Sequence, residues 1–229
     1  MAGCSPEDAA LLEPLLFPER VQRMEDVLGR RTRNLVLVAE DLLDPHNMAA
    51  LLRSCDAFGV QDVHTVAGDA AQGRFNPSHK VAGGAARWLT LHAWADPAPC
   101  IANLKSRGVQ LAVTSLTDAV PMGEVDFTQP TAIVMGNEKR GVSDAWMEAA
   151  DVRFRIPMFG FVESLNISVA AALILQHAST ARKARYGAAA GDLTEAERIA
   201  LRSQWIYEDV REAPAVLAEI KRRHEAQQA

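Results

Sequence analysis

Between Asn34 and Arg185 the hydrophobic residues follow two rhythms that take turns along the chain. Solid apolar runs of strand length stand at 34–40 (NLVLVAE), 62–67, 88–93, 109–116, 131–135 (TAIVM) and 152–156 (VRFRI). Between them the apolar positions spread to helical spacing. Met48, Leu51, Leu52 and Cys55 recur at i, i+3, i+4 and i+7 until Gly59, with Asp44 as N-cap and Pro45 at the first helical position. Further helices are predicted at 96–107 and 143–150, and a long apolar one from about Leu165 to Arg185. Strands that are hydrophobic on both faces and alternate with helices predict an α/β fold, with a mostly parallel sheet covered by helices.

Outside this region the pattern thins. Val21, Met24, Val27 and Leu28 mark one amphipathic helix after Pro18. At about 100° per residue, Arg20, Arg23, Arg30 and Arg31 fall within about 100° of arc on it. Gly187 to Gly191 reads as a connector, and the charged remainder as one or two peripheral helices. The expected organisation is a main domain at 34–186 with helical extensions at 1–33 and 187–229.

Composition narrows the options. The chain has 229 residues and a net charge of −5, which weighs mildly against nucleic acid, yet arginines crowd 20–33 and Arg182, Lys183 and Arg185 form a second basic group. Ordinary solvated helix faces are the alternative reading of both. Cys4, Cys55 and Cys100 are far apart and the six histidines are scattered, so no metal is predicted. No run of about eighteen apolar residues exists and the first residues are acidic, which predicts a cytoplasmic protein with no membrane association.

In an open α/β sheet, chemistry gathers in the loops after the strands. Three such segments stand out. In IVMGNEKRGVS, 133–143, four residues separate Gly136 from Gly141, as in a phosphate loop, but Val142 occupies the position of the lysine. In 40–60, Asn47 and Arg53 are polar residues on an otherwise apolar helix, and in RIPMFGFVESLNISVAAALILQHA, 155–178, Ser164 and Asn166 precede a helix rich in alanine. Taken singly, each has a structural explanation: a helix end for Asn47, a surface charge for Arg53, an N-cap for Ser164. No Ser-His-Asp order, H-E-x-x-H or G-x-G-x-x-G is present.

Taken together, DPHNMAALLRSCDAFGV, TAIVMGNEKRGVSDA and IPMFGFVESLNISVAAALIL resemble the three motifs of the SPOUT-type RNA ribose methyltransferases, and among them the bacterial enzymes of tRNA guanosine 18. The resemblance runs from about Arg20 to Arg185. It implies a C-terminal deep trefoil knot, S-adenosylmethionine as co-substrate, and a homodimer whose active site is completed across the interface. By position it places Thr114, Gly136, Ile156 and Leu165 at the cofactor, and Arg53 at the centre of catalysis with Asn47, Glu138, Ser164 and Asn166 organising the site. It makes Arg20, Arg23, Arg30, Arg31, Lys80 and Arg182 the RNA-binding set. Ribosomal RNA is the alternative substrate, and a non-catalytic RNA-binding protein on the same scaffold the alternative of another class. A guanidinium is too basic for a general base, so Arg53 is expected to fix a phosphate and stabilise developing alkoxide charge, with the base unassigned. Asp44 and Thr180 stand where close relatives carry basic residues, which removes positive charge from the expected RNA surface.

Overall fold

A computed structural model describes residues 4–42, 44–67, 83–137, 140–187 and 191–228. Seven parallel-paired strands form one sheet: β1 (Leu35–Glu40), β2 (Asp62–Val66), β3 (Thr90–Trp94), β4 (Gln110–Thr114), β5 (Val120–Pro121), β6 (Thr131–Met135) and β7 (Val152–Arg155), in the order β3-β2-β1-β6-β4-β7-β5. The six strands expected from the apolar runs are all present, within a residue or two at their ends. The two-residue β5 carries no hydrophobic run and was not legible.

Alternation within the solid strands explains why they are apolar throughout. Leu35, Leu37 and Ala39 of β1, with Ile133 and Met135 of β6, face one core, while Val36, Val38, Ala132 and Val134 face the other. The first core is roofed by α3 (Pro45–Ala57) and α6 (Ile167–Tyr186), through Met48, Leu51, Leu52 and Cys55 and through Ile167, Ala171, Ile174, Leu175 and Ala178. The second is roofed by α4 (Pro97–Ser106) and α5 (Asp144–Ala149), through Cys100, Leu104 and the fully buried Trp146. Each fully buried Leu or Ile stabilises by about 1.5–3 kcal/mol. Helix α3 begins as its sequence predicts, with the Asp44 carboxylate accepting from the His46 amide at 2.9 Å and Pro45 in the first turn.

These elements lie in one compact unit, Thr32–Ala190; a second unit joins Met1–Arg31 to Gly191–Ala229. In the second unit α7 (Glu195–Asp209) packs against α1 (Pro6–Leu12) and α2 (Pro18–Leu28), and α8 (Ala213–Gln228) packs against α1. Helix α1 lies in the acidic lead that precedes Pro18. The Thr194 and Glu197 capping box starts α7. Most of the expected connector, 188–190, lies outside the described residues. Among the described residues no helix is long and apolar enough to cross a membrane, and no group of three or more His, Cys, Asp or Glu is placed to hold a metal.

On the β2–β3 side of the sheet sits a polar cluster. Asp62, 1% exposed, takes Arg33 Nη1 at 2.6 and 2.8 Å and His92 Nε2 at 2.9 Å. Burial raises the Asp62 pKa, but the His92 and Arg33 contacts outweigh it and hold the carboxyl below its ordinary range. His64 is fully buried and its Nδ1 accepts from the Trp94 indole at 3.0 Å, so its imidazole is held neutral and its pKa falls to about 4, through burial first and the His92 charge second. A neutral buried histidine stabilises the fold above its ordinary pKa of about 6.5 and loses that contribution as pH falls toward 4. Thermal melts taken from pH 7.5 down to pH 5 are expected to show a falling Tm, and His64→Gln is expected to flatten that slope. An unchanged slope in His64→Gln would assign the acid sensitivity elsewhere.

Candidate active site

The loops at the C-terminal ends of β4, β6 and β7 enclose a cavity of about 570 Å3. Its wall is largely apolar, with Met135, Phe154, Ile156, Met158, Leu165 and Ile174. The polar groups are Thr114, Ser115 and Thr117 at and after the end of β4, Asn137 and Arg140 in the loop after β6, Asp144 at the start of α5, and Glu163 and Ser164 before α6. Size and character match a small-molecule site of roughly 300–1,000 Å3 that binds through apolar contact and a few placed polar groups. Thr114, Gly136, Ile156 and Leu165, expected at the cofactor, all line it, as does Ser164. The Thr114 hydroxyl is already committed to the Val134 carbonyl at 3.1 Å, so Thr114 offers its methyl group and main chain.

The loop after β6 explains both of its glycines. Asn137 N donates to Gly141 O at 3.0 Å and Gly141 N to Asn137 O at 2.7 Å, closing a small ring. Gly141 has φ +70°, a left-handed conformation that favours glycine. Gly136 has no positive φ; its constraint is space, because a Cβ there would lie 2.1 Å from Gly141 O and 2.4 Å from Val142 N. The phosphate-loop spacing is therefore misleading on two counts. Besides lacking the lysine, the loop spends the amides of Asn137 and Gly141 on its own closure and that of Ser143 on Glu40 at 2.7 Å, whereas a phosphate cradle needs them free.

The first and third motifs meet at Asn47 and Asn166. Asn166 Nδ2 donates to Asn47 Oδ1 at 3.0 Å, and Asn166 Oδ1 accepts from Ser168 N at 3.0 Å and Ser168 Oγ at 2.6 Å. Asn166 is thus the N-cap of α6, which begins at Ile167 and not near Leu165 as expected, so the alternative explanation of Ser164 as an N-cap does not hold. The side chain does two things at once, starting α6 and reaching α3. Arg53 is not brought into this group. It is exposed and lines a shallow depression between α3 and α6 with Ser54, Phe58, Ser168, Val169 and Leu173. Glu138 lies outside the described residues.

The arginines expected at RNA divide sharply. Arg20 makes a bidentate pair with Asp209, Nε to Oδ2 at 2.7 Å and Nη2 to Oδ1 at 2.8 Å. Arg31 is fully buried with its guanidinium 5.3 Å from the Trp205 ring centre. Arg182 is 4% exposed, and its Nη1 donates to the carbonyls of Phe127, Thr128 and Gln129 at 3.4, 3.2 and 3.3 Å. Arg31 and Arg182 as placed are structural, because either would have to leave a buried site to touch phosphate. Arg23 and Arg30 are exposed. Lys80 lies outside the described residues.

Residues 34–176 match the model of the SpoU rRNA Methylase family. The chain belongs to this family. It is 42% identical over 164 residues to the tRNA (guanosine(18)-2'-O)-methyltransferase of Thermus thermophilus, covering 71% of this chain and 83% of that one. It also resembles the crystal structure of the Aquifex aeolicus TrmH/SpoU tRNA modifying enzyme, at TM-score 0.76 and 33% identity over 85% of this chain and 98% of that one. The SpoU methyltransferase AviRb of Streptomyces viridochromogenes, in complex with the cofactor AdoMet, superposes at TM-score 0.57 and 28% identity over 65% and 60% of the two chains.

Sequence reasoning missed the residues that hold the loop after β6. Glu40 ends β1 and Asp41 follows it, and Asp41 contributes its carbonyl to Asn137 Nδ2 at 3.0 Å and its carboxylate to Arg140 Nη2 at 3.1 Å. The available signal was an acidic pair closing an otherwise apolar strand. Two outcomes follow from this geometry. Gly136→Ala should leave the sheet folded by circular dichroism but weaken S-adenosylmethionine binding at least tenfold by calorimetry, because the loop must open to admit the methyl group. Arg182→Met should lower unfolding free energy by about 2–3 kcal/mol in urea titration, since three carbonyls lose a charged donor; a change below about 0.5 kcal/mol would return Arg182 to the RNA surface.

Proposed function

We propose that the chain transfers the methyl group of S-adenosylmethionine to a ribose 2′-hydroxyl in RNA, with guanosine 18 in the D-loop of tRNA as the target. The observation that carries this is the Asn47–Asn166 contact, which joins the first motif to the third immediately after Leu165 of the cavity wall. Family membership and the names of the relatives point the same way. The cavity suits the donor: apolar side chains for adenine, polar groups for the methionine end, and no need of a phosphate-binding lysine. Bound S-adenosylmethionine supplies an activated methyl group on a sulfonium.

The remaining steps fall to this chain's side chains. The 2′-oxygen must be aligned with the methyl group and relieved of its proton. Asn47, Ser164 and Asn166, with Glu138, are proposed to organise that alignment. Arg53 is proposed to fix the neighbouring phosphate and stabilise charge on the oxygen. Because Arg53 lines the α3–α6 depression and not the cavity, we place it in the active site of a second copy, in a homodimer. Val169 and Leu173, 47% and 44% exposed on α6 beside Arg53, supply an apolar face for that contact.

Residues 34–186 form the proposed catalytic domain, between extensions at 1–33 and 187–229, in a cytoplasmic enzyme. Its C-terminal part is proposed to be knotted: β7 pairs with β4 on the side away from β6, a connection compatible with a threaded loop. Phosphate contact is proposed for Arg23 and Arg30, with Lys80.

Labelled S-adenosylmethionine and tRNA transcripts with and without a G-to-A change at position 18 test the activity. Label only on the guanosine transcript is expected; label on both would reject guanosine specificity, and label on neither would direct the search to ribosomal RNA. Arg53→Ala should bind S-adenosylmethionine normally and lose well over tenfold in kcat, the loss that corresponds to about 1.4 kcal/mol. Leu173→Glu should halve the mass measured by light scattering and abolish transfer; an active monomer would remove the partner's Arg53 from the mechanism.

A further inference from the structure

Glu40 is the last residue of β1 and only 5% exposed. Both of its carboxylate oxygens are engaged by one residue of the loop after β6: Oε2 accepts from Ser143 N and Oε1 from Ser143 Oγ, each at 2.7 Å. Ser143 is the N-cap residue of α5, yet its hydroxyl makes no capping bond to its own helix and donates instead to Glu40. Neither residue lines the cavity, but Asn137, Arg140, Gly141, Val142 and Asp144 between and beside them do.

Burying a carboxylate costs several kcal/mol unless donors replace its water. Here the donors come from the cavity loop, so the loop can leave its place only by stripping a buried charge of its partners. Neighbouring Asp41 adds two lighter ties, its carbonyl to Asn137 and its carboxylate to Arg140, the latter pair largely exposed. We infer that Glu40 is a positioning residue for methyl-donor binding: with Ser143 it forms a latch that keeps Gly136, Asn137 and Arg140 to Val142 where they wall the cavity. The inference rests on the cavity being the S-adenosylmethionine site.

Glu40→Gln keeps the size of the side chain but presents an amide NH2 to one of two donors. Ser143→Ala removes the hydroxyl and leaves the amide. The expected result is a dissociation constant for S-adenosylmethionine at least tenfold higher in Glu40→Gln and about threefold higher in Ser143→Ala, by calorimetry. The double variant should be no weaker than Glu40→Gln alone, because the two residues act through one contact. KM for S-adenosylmethionine should rise in parallel while kcat at saturation stays within about threefold, a split that general destabilisation would not produce. Wild-type affinity in Ser143→Ala and in a folded Glu40→Gln would overturn the latch; should Glu40→Gln fail to fold, wild-type affinity in Ser143→Ala alone would do so. Wild-type protein that failed to bind S-adenosylmethionine would overturn the site itself.

Discussion

The backbone of the loop after β6 folds back on its own starting point, and much of the site depends on that closure. Gly141 O lies 2.1 Å from where a Cβ on residue 136 would sit, so the loop exists in this shape because residue 136 has no side chain. Closure uses up the amides of Asn137 and Gly141, which leaves a surface of carbonyls, apolar side chains and a few polar groups. Such a wall suits a neutral nucleoside better than a phosphate. Glu40 and Asp41 then tie the closed loop to the end of β1, so a strand buried along its whole length holds the loop in place.

A second constraint is the double duty of Asn166. As N-cap it sets where α6 begins, and through Nδ2 it sets the distance between α6 and Asn47. A shift of one residue in the helix start would break both, which couples the local fold to the site geometry. Arg53 stands apart, on the α3–α6 face.

Charge explains the behaviour of the helical extensions. The arginines that crowd the N-terminal stretch are in part already engaged within the helical extensions. Arg20 is held by Asp209, Arg202 by Glu13 and Glu25, and Arg31 by packing on Trp205. These contacts join the N-terminal helices to α7 across most of the sequence, and they leave Arg23 and Arg30 as the exposed arginines of the original set. A bidentate pair is satisfied in both partners and has little reason to exchange for phosphate.

Hydrophobic period alone determined the six long strands, the helices between them and the two-faced character of the sheet, because a strand buried on both sides has no polar alternation to hide it. Local chemistry likewise determined the Asp44–Pro45 start of α3, and motif resemblance gathered Thr114, Gly136, Ile156 and Leu165 onto one cavity. The tertiary structure alone decided what no local window contains: that Asn47 meets Asn166 across 119 positions, that Glu40 meets Ser143 across 103, and that Arg182 turns inward to three carbonyls. An arginine written in sequence has the same five donors whether it ends at a phosphate or in the core. Which fate it meets depends on the backbone that folding brings to it.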